Sequence, residues 1–420
     1  MNVRVKKRPI AALGAAVILA AALTTDCGAK ADAKQAARFK AEDVNVQQVH
    51  AYNEFAARMT KQLLLESGEA NMVVSPLSVT LALSLALNGA GGATEREMLQ
   101  MLGADNLSME VLNQGSEVLT DLLEHGDPKV DVQIANALWA RKGTQLLDDY
   151  SSRLQQFYDA KVSELDFDDK AAAGTINKWV RKQTHDRIDN MVDSASLSSN
   201  VMVLMNAIYF NGSWTEPFEE SATRDAQFHL ADGTNVTVPM MRQRTALTYK
   251  VSDSFKAIRL PYGNQSWGMI VVLPNKGVSL RDAEAEMLAD PAQSWRQDYE
   301  GGDAVVELPK FKLEYSKSLV AAMKALGMKQ AFDAKQADFS GMTHLSKGFY
   351  VSNILHKAFI EVNERGTEAA AVTAVMMAGS AAPVKEPFEF RADRPFFFAI
   401  EDRTTGALVF MGSVSNPAAE

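Results

Sequence analysis

The run from Glu364 to Pro383 constrains this chain more than any other stretch. After Glu368 it carries no charge until Lys385, and from Ala369 to Val375 it is built wholly from Ala, Val and Thr. Ala is the strongest helix former, so a buried helix capped by Thr367 is one reading. The alternate positions Thr367, Ala369, Ala371, Thr373, Val375 and Met377 support another. They are free of charge, mostly small or β-branched, and could form one face of a strand entering a packed sheet. Gly366 supplies a joint at the start, and Gly379 with Pro383 breaks regularity near the end. A segment able to be loop or strand suggests a switch. An ordinary buried Ala-rich helix is the bland alternative, and local composition does not choose between them.

The chain around it has 420 residues, long for a small domain but within reach of one large core. A hydrophobic content of 47% with 23% charged residues is that of a globular protein. The net charge of −9 argues against nucleic acid or anionic membrane surfaces as partners. Met1 to Arg8 is basic and Ile10 to Leu23 is apolar except for Gly14, which predicts a secretory signal peptide rather than a membrane span. Ala29-Lys30-Ala31 fits a cleavage site. Cys27, followed by Gly28, sits where a bacterial lipoprotein is lipidated, although Asp26 stands where a small residue is expected. Secretion to an extracellular or periplasmic space is therefore expected ahead of lipid anchoring at the cell envelope. Residues 1–31 are read as leader, 32–43 as a polar tether and 44–418 as one domain. Cys27 is the only cysteine, so no disulfide framework supports the fold.

Tyr52, Phe55, Met59 and Leu63 predict a helix over Val49 to Leu65. A short strand follows, and Ser75 with Pro76 begins a second helix, apolar nearly all round, in which Ser75 and Ser78 need buried partners. Gly89 to Ala93 lacks a phosphate-loop Lys and reads as a helix stop, with Thr94 capping the next helix. A strand is predicted over Val130 to Ala140 and a helix over Ile176 to Met191. Val201 to Tyr209 is apolar but for Asn206, so it reads as a strand buried on both faces whose Asn must be hydrogen-bonded. Separate strands are predicted at Thr234 to Met241 and Leu247 to Val251, and a single one over Ala304 to Leu313. Tyr350 to Val362 is a strand carrying His356. The last strands flank a turn at Thr404-Thr405-Gly406. Helices come first, a mixed region follows and strands end the chain, which is an α+β order.

Catalytic constellations are scarce. No Gly-x-Ser-x-Gly elbow or His-Glu-x-x-His is present, and six scattered histidines lack ligand spacing. No metal or cofactor is expected, and a hydrolase is a distant reading.

From about Val44 to Pro417 the chain resembles the serpins. The resemblance rests on an ordered set of motifs: Asn71 to Ser78, Asn136-Ala137-Leu138-Trp139, and Asn206-Ala207-Ile208-Tyr209-Phe210 with Gly212 and Trp214. It continues through Leu308-Pro309-Lys310-Phe311, Leu355-His356-Lys357-Ala358, Gly366-Thr367-Glu368-Ala369-Ala370-Ala371 and Phe410-Met411-Gly412. The resemblance implies three β-sheets, about nine helices and an exposed reactive loop, here 366–383. It implies a non-enzymatic, monomeric suicide inhibitor that traps a target protease as a covalent 1:1 complex when the cleaved loop inserts into the largest sheet. The family's hinge maps to Glu364, Gly366, Thr367, Glu368, Ala369, Ala370 and Ala371, its shutter to Ser75, Ser78, Asn206 and His356, and its breach to Trp214 and Lys310. Loop spacing places the reactive bond at Ser380-Ala381, with Met377 or Ala378 as slips. These uncharged residues point to an elastase- or subtilisin-like protease, with a papain-like cysteine protease as alternative. A non-inhibitory serpin that binds or stores is the second functional reading.

Overall fold

The computed structural model describes residues 35–291, 295, 297–345, 348–367 and 386–419. Helices α1 (Val46–Ser67), α2 (Pro76–Leu87), α3 (Gly92–Leu102), α4 (Met109–His125), α5 (Asp148–Tyr158), α6 (Ala171–Gln183) and α7 (Ser194–Ser198) dominate the first half. Strands β1 (Met72–Val74), β2 (Val130–Arg141) and β3 (Lys161–Leu165) lie among them. Then come β4 (Met202–Ser213), β5 (Arg224–His229), β6 (Asn235–Val251), β7 (Phe255–Tyr262) and β8 (Trp267–Pro274). Helix α8 (Leu280–Met287), β9 (Glu300–Pro309), β10 (Phe311–Ser318) and α9 (Val320–Ala325) lead into β11 (Asn353–Asn363) and β12 (Gly366–Thr367). The chain ends with β13 (Phe388–Arg391), β14 (Phe396–Asp402) and β15 (Leu408–Val414).

Among the described residues these strands form two hydrogen-bonded sheets. One has six strands in the order β10-β11-β12-β4-β2-β3. The other runs β1-β15-β14-β8-β7-β6-β9-β13, with β5 on β6. Strand β6 is continuous across the two segments predicted from sequence. It pairs with β5 and β9 along most of its length and with β7 at its end, so two of the three expected sheets are joined through it. The single strand expected over Ala304 to Leu313 is divided. Pro309 ends β9 in the larger sheet, and Phe311 starts β10 in the six-stranded one, with Lys310 at the crossing.

The centre of the six-stranded sheet is buried on both faces. Leu204 and Ile208 of β4 join the main core with α2, while Val203, Met205 and Ala207 join a second cluster with Ile176 and Val180 of α6. That alternation is the period-2 geometry of a strand. Every residue of α2 is buried, its first turn is capped by Ser75, and Pro76 occupies the first helical position. Helix α6 stops earlier than its apolar spacing predicts. His185, Asp186 and Asn190 all adopt positive φ and carry the chain into a loop. Thr94 does not cap α3. Gly91 takes that position, and the Thr94 hydroxyl instead accepts a hydrogen bond from Asp338 N at 3.0 Å.

Leu85 is fully buried in α2. Leu85→Ala is expected to cost about 2–5 kcal/mol, measured as a lower urea midpoint. A loss below about 1 kcal/mol would mean that the helix behind the sheet is loosely packed.

Candidate functional site

The centre of the six-stranded sheet is a seam between β4 and β11. Along its lower part the two strands pair directly and in parallel, from Asn353 with Val203 to Ala358 with Ile208. At the top they separate around β12. Gly366 and Thr367 pair antiparallel with Ser213 and Gly212 on one side, and with Asn363 and Val362 on the other. The chain that leads out of β12 therefore begins as a strand already inside the sheet.

Close backbone contact decides the residue at the start of β12. Gly366 has φ of +147°, and a Cβ there would lie 2.1 Å from the Gly212 carbonyl oxygen. Only glycine accepts that approach. Thr367 is fully buried, and its hydroxyl shares a 2.7 Å hydrogen bond with the Tyr262 hydroxyl. Trp214 stacks on Tyr262 with ring centroids 4.2 Å apart, and its Nε1 donates to the Asn363 carbonyl at 3.0 Å. Its backbone N–H donates to the Arg365 carbonyl at 2.9 Å. The Glu364 carboxylate pairs with Lys310 at 2.9 Å and accepts from the Thr223 hydroxyl at 2.8 Å. Burial opposes its charge, but the Lys310 and Thr223 contacts outweigh it and hold the carboxyl below its usual range.

A second polar group closes the seam below, where β4 and β11 touch. His356 Nε2 accepts from Ser75 N–H at 3.2 Å, and Nδ1 lies 3.1 Å from Asn206 Oδ1. Burial pushes the imidazole down to about 4, so it is neutral and its one proton sits on Nδ1, donated to Asn206. Asn206 Nδ2 donates to the Ser78 carbonyl at 2.9 Å and to Asn136 Oδ1 at 2.8 Å. The four residues Ser75, Ser78, Asn206 and His356 thus meet in one network joining α2, β4 and β11. Asn136 of β2 was quoted from sequence only as part of a motif and given no site role, and neither Tyr262 nor Thr223 was given one. The available signal for Asn136 was a lone Asn inside the otherwise apolar run Ile134 to Ala140.

Glu368, Ala369, Ala370, Ala371, Met377, Ala378, Ser380, Ala381 and Cys27 lie outside the described residues. Within the segment expected to be a tether, the backbone N–H groups of Arg38 and Phe39 donate to Asp121 of α4 at 2.6 and 3.1 Å.

The family model for serpin, serine protease inhibitor, matches residues 50–417. This chain belongs to the serpin family. An uncharacterised serpin-like protein of Thermococcus kodakarensis is 36% identical, covering 88% of this chain and 85% of that protein. Human serpin B3 is 33% identical over 85% of this chain and 96% of its own length. Among solved structures, human thyroxine-binding globulin complexed with thyroxine superposes with a TM-score of 0.81 at 29% identity, covering 89% of this chain and 99% of that one. The thermophilic serpin tengpin, in its native state, gives 0.80 at 28% identity over 88% and 94%. Serpins are as a class protease inhibitors rather than catalysts.

His356 gives this serpin a pH dependence of known sign. The folded protein holds it neutral down to about pH 4, whereas the unfolded chain takes up a proton near the ordinary 6.5. Its stabilising contribution is complete above about pH 6.5 and is lost as pH falls toward 4, by about 3 kcal/mol in all. Urea midpoints measured stepwise over that interval should fall more steeply for the unmodified protein than for His356→Gln. Parallel slopes would show that the imidazole is not the titrating group.

Proposed function

We propose that this serpin is a suicide-substrate inhibitor of serine-type endopeptidases. The observation that carries the reading is the register of β12. Continued past Thr367, it runs without slip against both neighbours until residue 376 would face Asn353 and Val203, which now pair with each other. A loop strand could therefore enter between β4 and β11 without either strand sliding. In that register Ala369, Ala371, Thr373 and Val375 would share the face of Thr367, toward the main core. Thr373 would come between Asn206 and His356, whose bond must give way.

The reaction belongs to the protease. Its nucleophile attacks the carbonyl of Ser380, the bond to Ala381 breaks, an ester forms, and the proton passes to the amine of Ala381. Insertion would exchange one parallel ladder for two antiparallel ones and bury small side chains, carrying the acylated protease away before water resolves the ester. Met377 or Ala378 are the alternative cleavage positions. The uncharged residues there favour an elastase- or subtilisin-like target, with papain-like cysteine proteases second, and the inhibitor acts as a monomer in a covalent 1:1 complex.

The reading assigns residues 1–31 to a secretory leader and 44–418 to the serpin domain, with lipidated Cys27 as the alternative attachment at the envelope. A non-inhibitory binding or storage role is the second reading, kept because thyroxine-binding globulin has the same fold.

Mixing with an elastase-like protease separates the two on a denaturing gel. A stable complex near the summed mass supports inhibition, and cleavage without a complex supports the second role. Thr373→Arg would place a guanidinium in the buried seam, so the loop should still be cut while the complex disappears. The loop-cleaved form of the unmodified protein should melt far above the intact form. Equal melting temperatures would count against insertion.

A further inference from the structure

A cavity of about 340 Å³ lies among the end of β4, the strands β6, β7 and β9, and the turn between β14 and β15. That volume lies within the range of small-molecule sites. Ala246, Leu247, Leu260 and Pro261 give it an apolar wall, and Gly301 of β9 lines it without a side chain. A Cβ placed on Gly301 would meet no atom within 4 Å, so the space over that backbone is open.

Two side chains of opposite charge, Glu216 and Arg403, also line it. Both are tied to the tight turn that joins β7 to β8. Thr215, next to Glu216, donates its N–H to the Pro261 carbonyl at 2.9 Å and its hydroxyl to the Gly263 carbonyl at 3.1 Å. Arg403 donates its N–H to the Ser266 carbonyl at 2.7 Å and its Nη1 to the Gln265 carbonyl at 2.9 Å. Gln265 has φ of +69°, left-handed backbone that a non-glycine residue seldom adopts. The turn thus holds an anion and a cation at the edge of one cavity.

The charges around them are already paired. Arg259, which also lines the cavity, meets Glu401 at 2.6 Å and donates Nη2 to the Trp295 carbonyl at 2.6 Å. Arg244 of β6 pairs with Asp303 of β9. Glu216 accepts only from the Thr245 hydroxyl, and among the described residues no side chain of opposite charge pairs with Glu216 or Arg403.

We propose that this cavity binds a short apolar zwitterion, a dipeptide with free termini, its carboxylate on Arg403 and its ammonium on Glu216. A planar guanidinium fits a carboxylate through parallel N–H donors, and the apolar wall takes the peptide's side chains. A simple anion or a simple cation would leave one of the two charges unmatched. The inference does not rest on the inhibitory reading, and the cavity meets the upper end of the seam only at Trp214.

Isothermal titration of the full chain with Ala-Phe, with acetyl-Ala-Phe and with Ala-Phe amide tests the assignment. The second peptide lacks the ammonium and the third lacks the carboxylate. At about pH 7, where both free termini are charged, the dipeptide should bind about three- to fivefold more tightly than either blocked form, the size expected of solvent-exposed ion pairs. Arg403→Gln should bring the dipeptide to the level of the amide, and Glu216→Gln to the level of the acetyl form, each leaving the other preference in place. Gly301→Leu, whose side chain would enter the open space, should remove binding of all three. Glu216 and Arg403 are exposed, so unchanged melting temperatures are expected of both glutamine variants and show that each is folded. Equal binding of the three peptides, no binding of the free dipeptide, or preferences that survive the glutamine variants would overturn the proposal.

Discussion

The parallel contact between β4 and β11 is the interaction on which the rest of the structure depends. Every other neighbouring pair in the six-stranded sheet except β2–β3 is antiparallel. The seam joins a block of β10 and β11 to a block of β4, β2 and β3. Its ladder is short, ending at Ala358 and Ile208, and β12 stands between the same strands above it. The sheet is thus closed below and already parted above, and its two zones share one register. On the proposed mechanism, the seam stays shut as long as local bonds outweigh the longer ladders that a complete middle strand would form.

Those local bonds are polar, and their burial makes them decisive. His356, Asn206, Asn136, Ser75 and Ser78 are all withdrawn from water. A buried polar group left without a partner costs more than the net value of the bond it makes, so the network holds its three elements in one arrangement. Above it, Trp214 on Tyr262, Glu364 on Lys310 and the close packing of Gly366 on Gly212 hold the first two residues of β12 in place. The upper contacts fix where β12 starts, and the lower network is what the proposed insertion would have to break.

Much of this was legible in the sequence because burial leaves a mark on composition. A single Asn in the apolar run Val201 to Tyr209 and a His in Tyr350 to Val362 could only be satisfied inside a core. Ser75 and Ser78 stood at the start of a helix with no polar face. Each called for a partner. The absence of charge at Thr367 and the positions after it matched a face that packs inward, and the register of Thr367 opposite Val362 places it on that face. What stayed hidden depended on pairing across long separations. Nothing local joined Glu364 to Thr223, or Thr367 to Tyr262. Pro309 was read inside one strand because a chain that changes sheets keeps its alternation through the crossing. The two halves of β6 looked separate because polar residues between them face solvent on a strand that never ends. The buried Glu284, in a charged and amphipathic helix, looked like any surface Glu.

By itself, the sequence determined the α+β order, the helix buried behind the sheet, the polar residues that needed core partners and the glycine joint before an uncharged run. Those properties follow from local propensity and from which side chains tolerate water. The tertiary structure alone decided that β4 and β11 meet in parallel below β12, that one histidine bridges a helix and two strands, and that Gly366 lies against a carbonyl. Each of these depends on residues 150 or more positions apart coming together, and long-range pairing is set by the packing of the whole core rather than by any stretch of it.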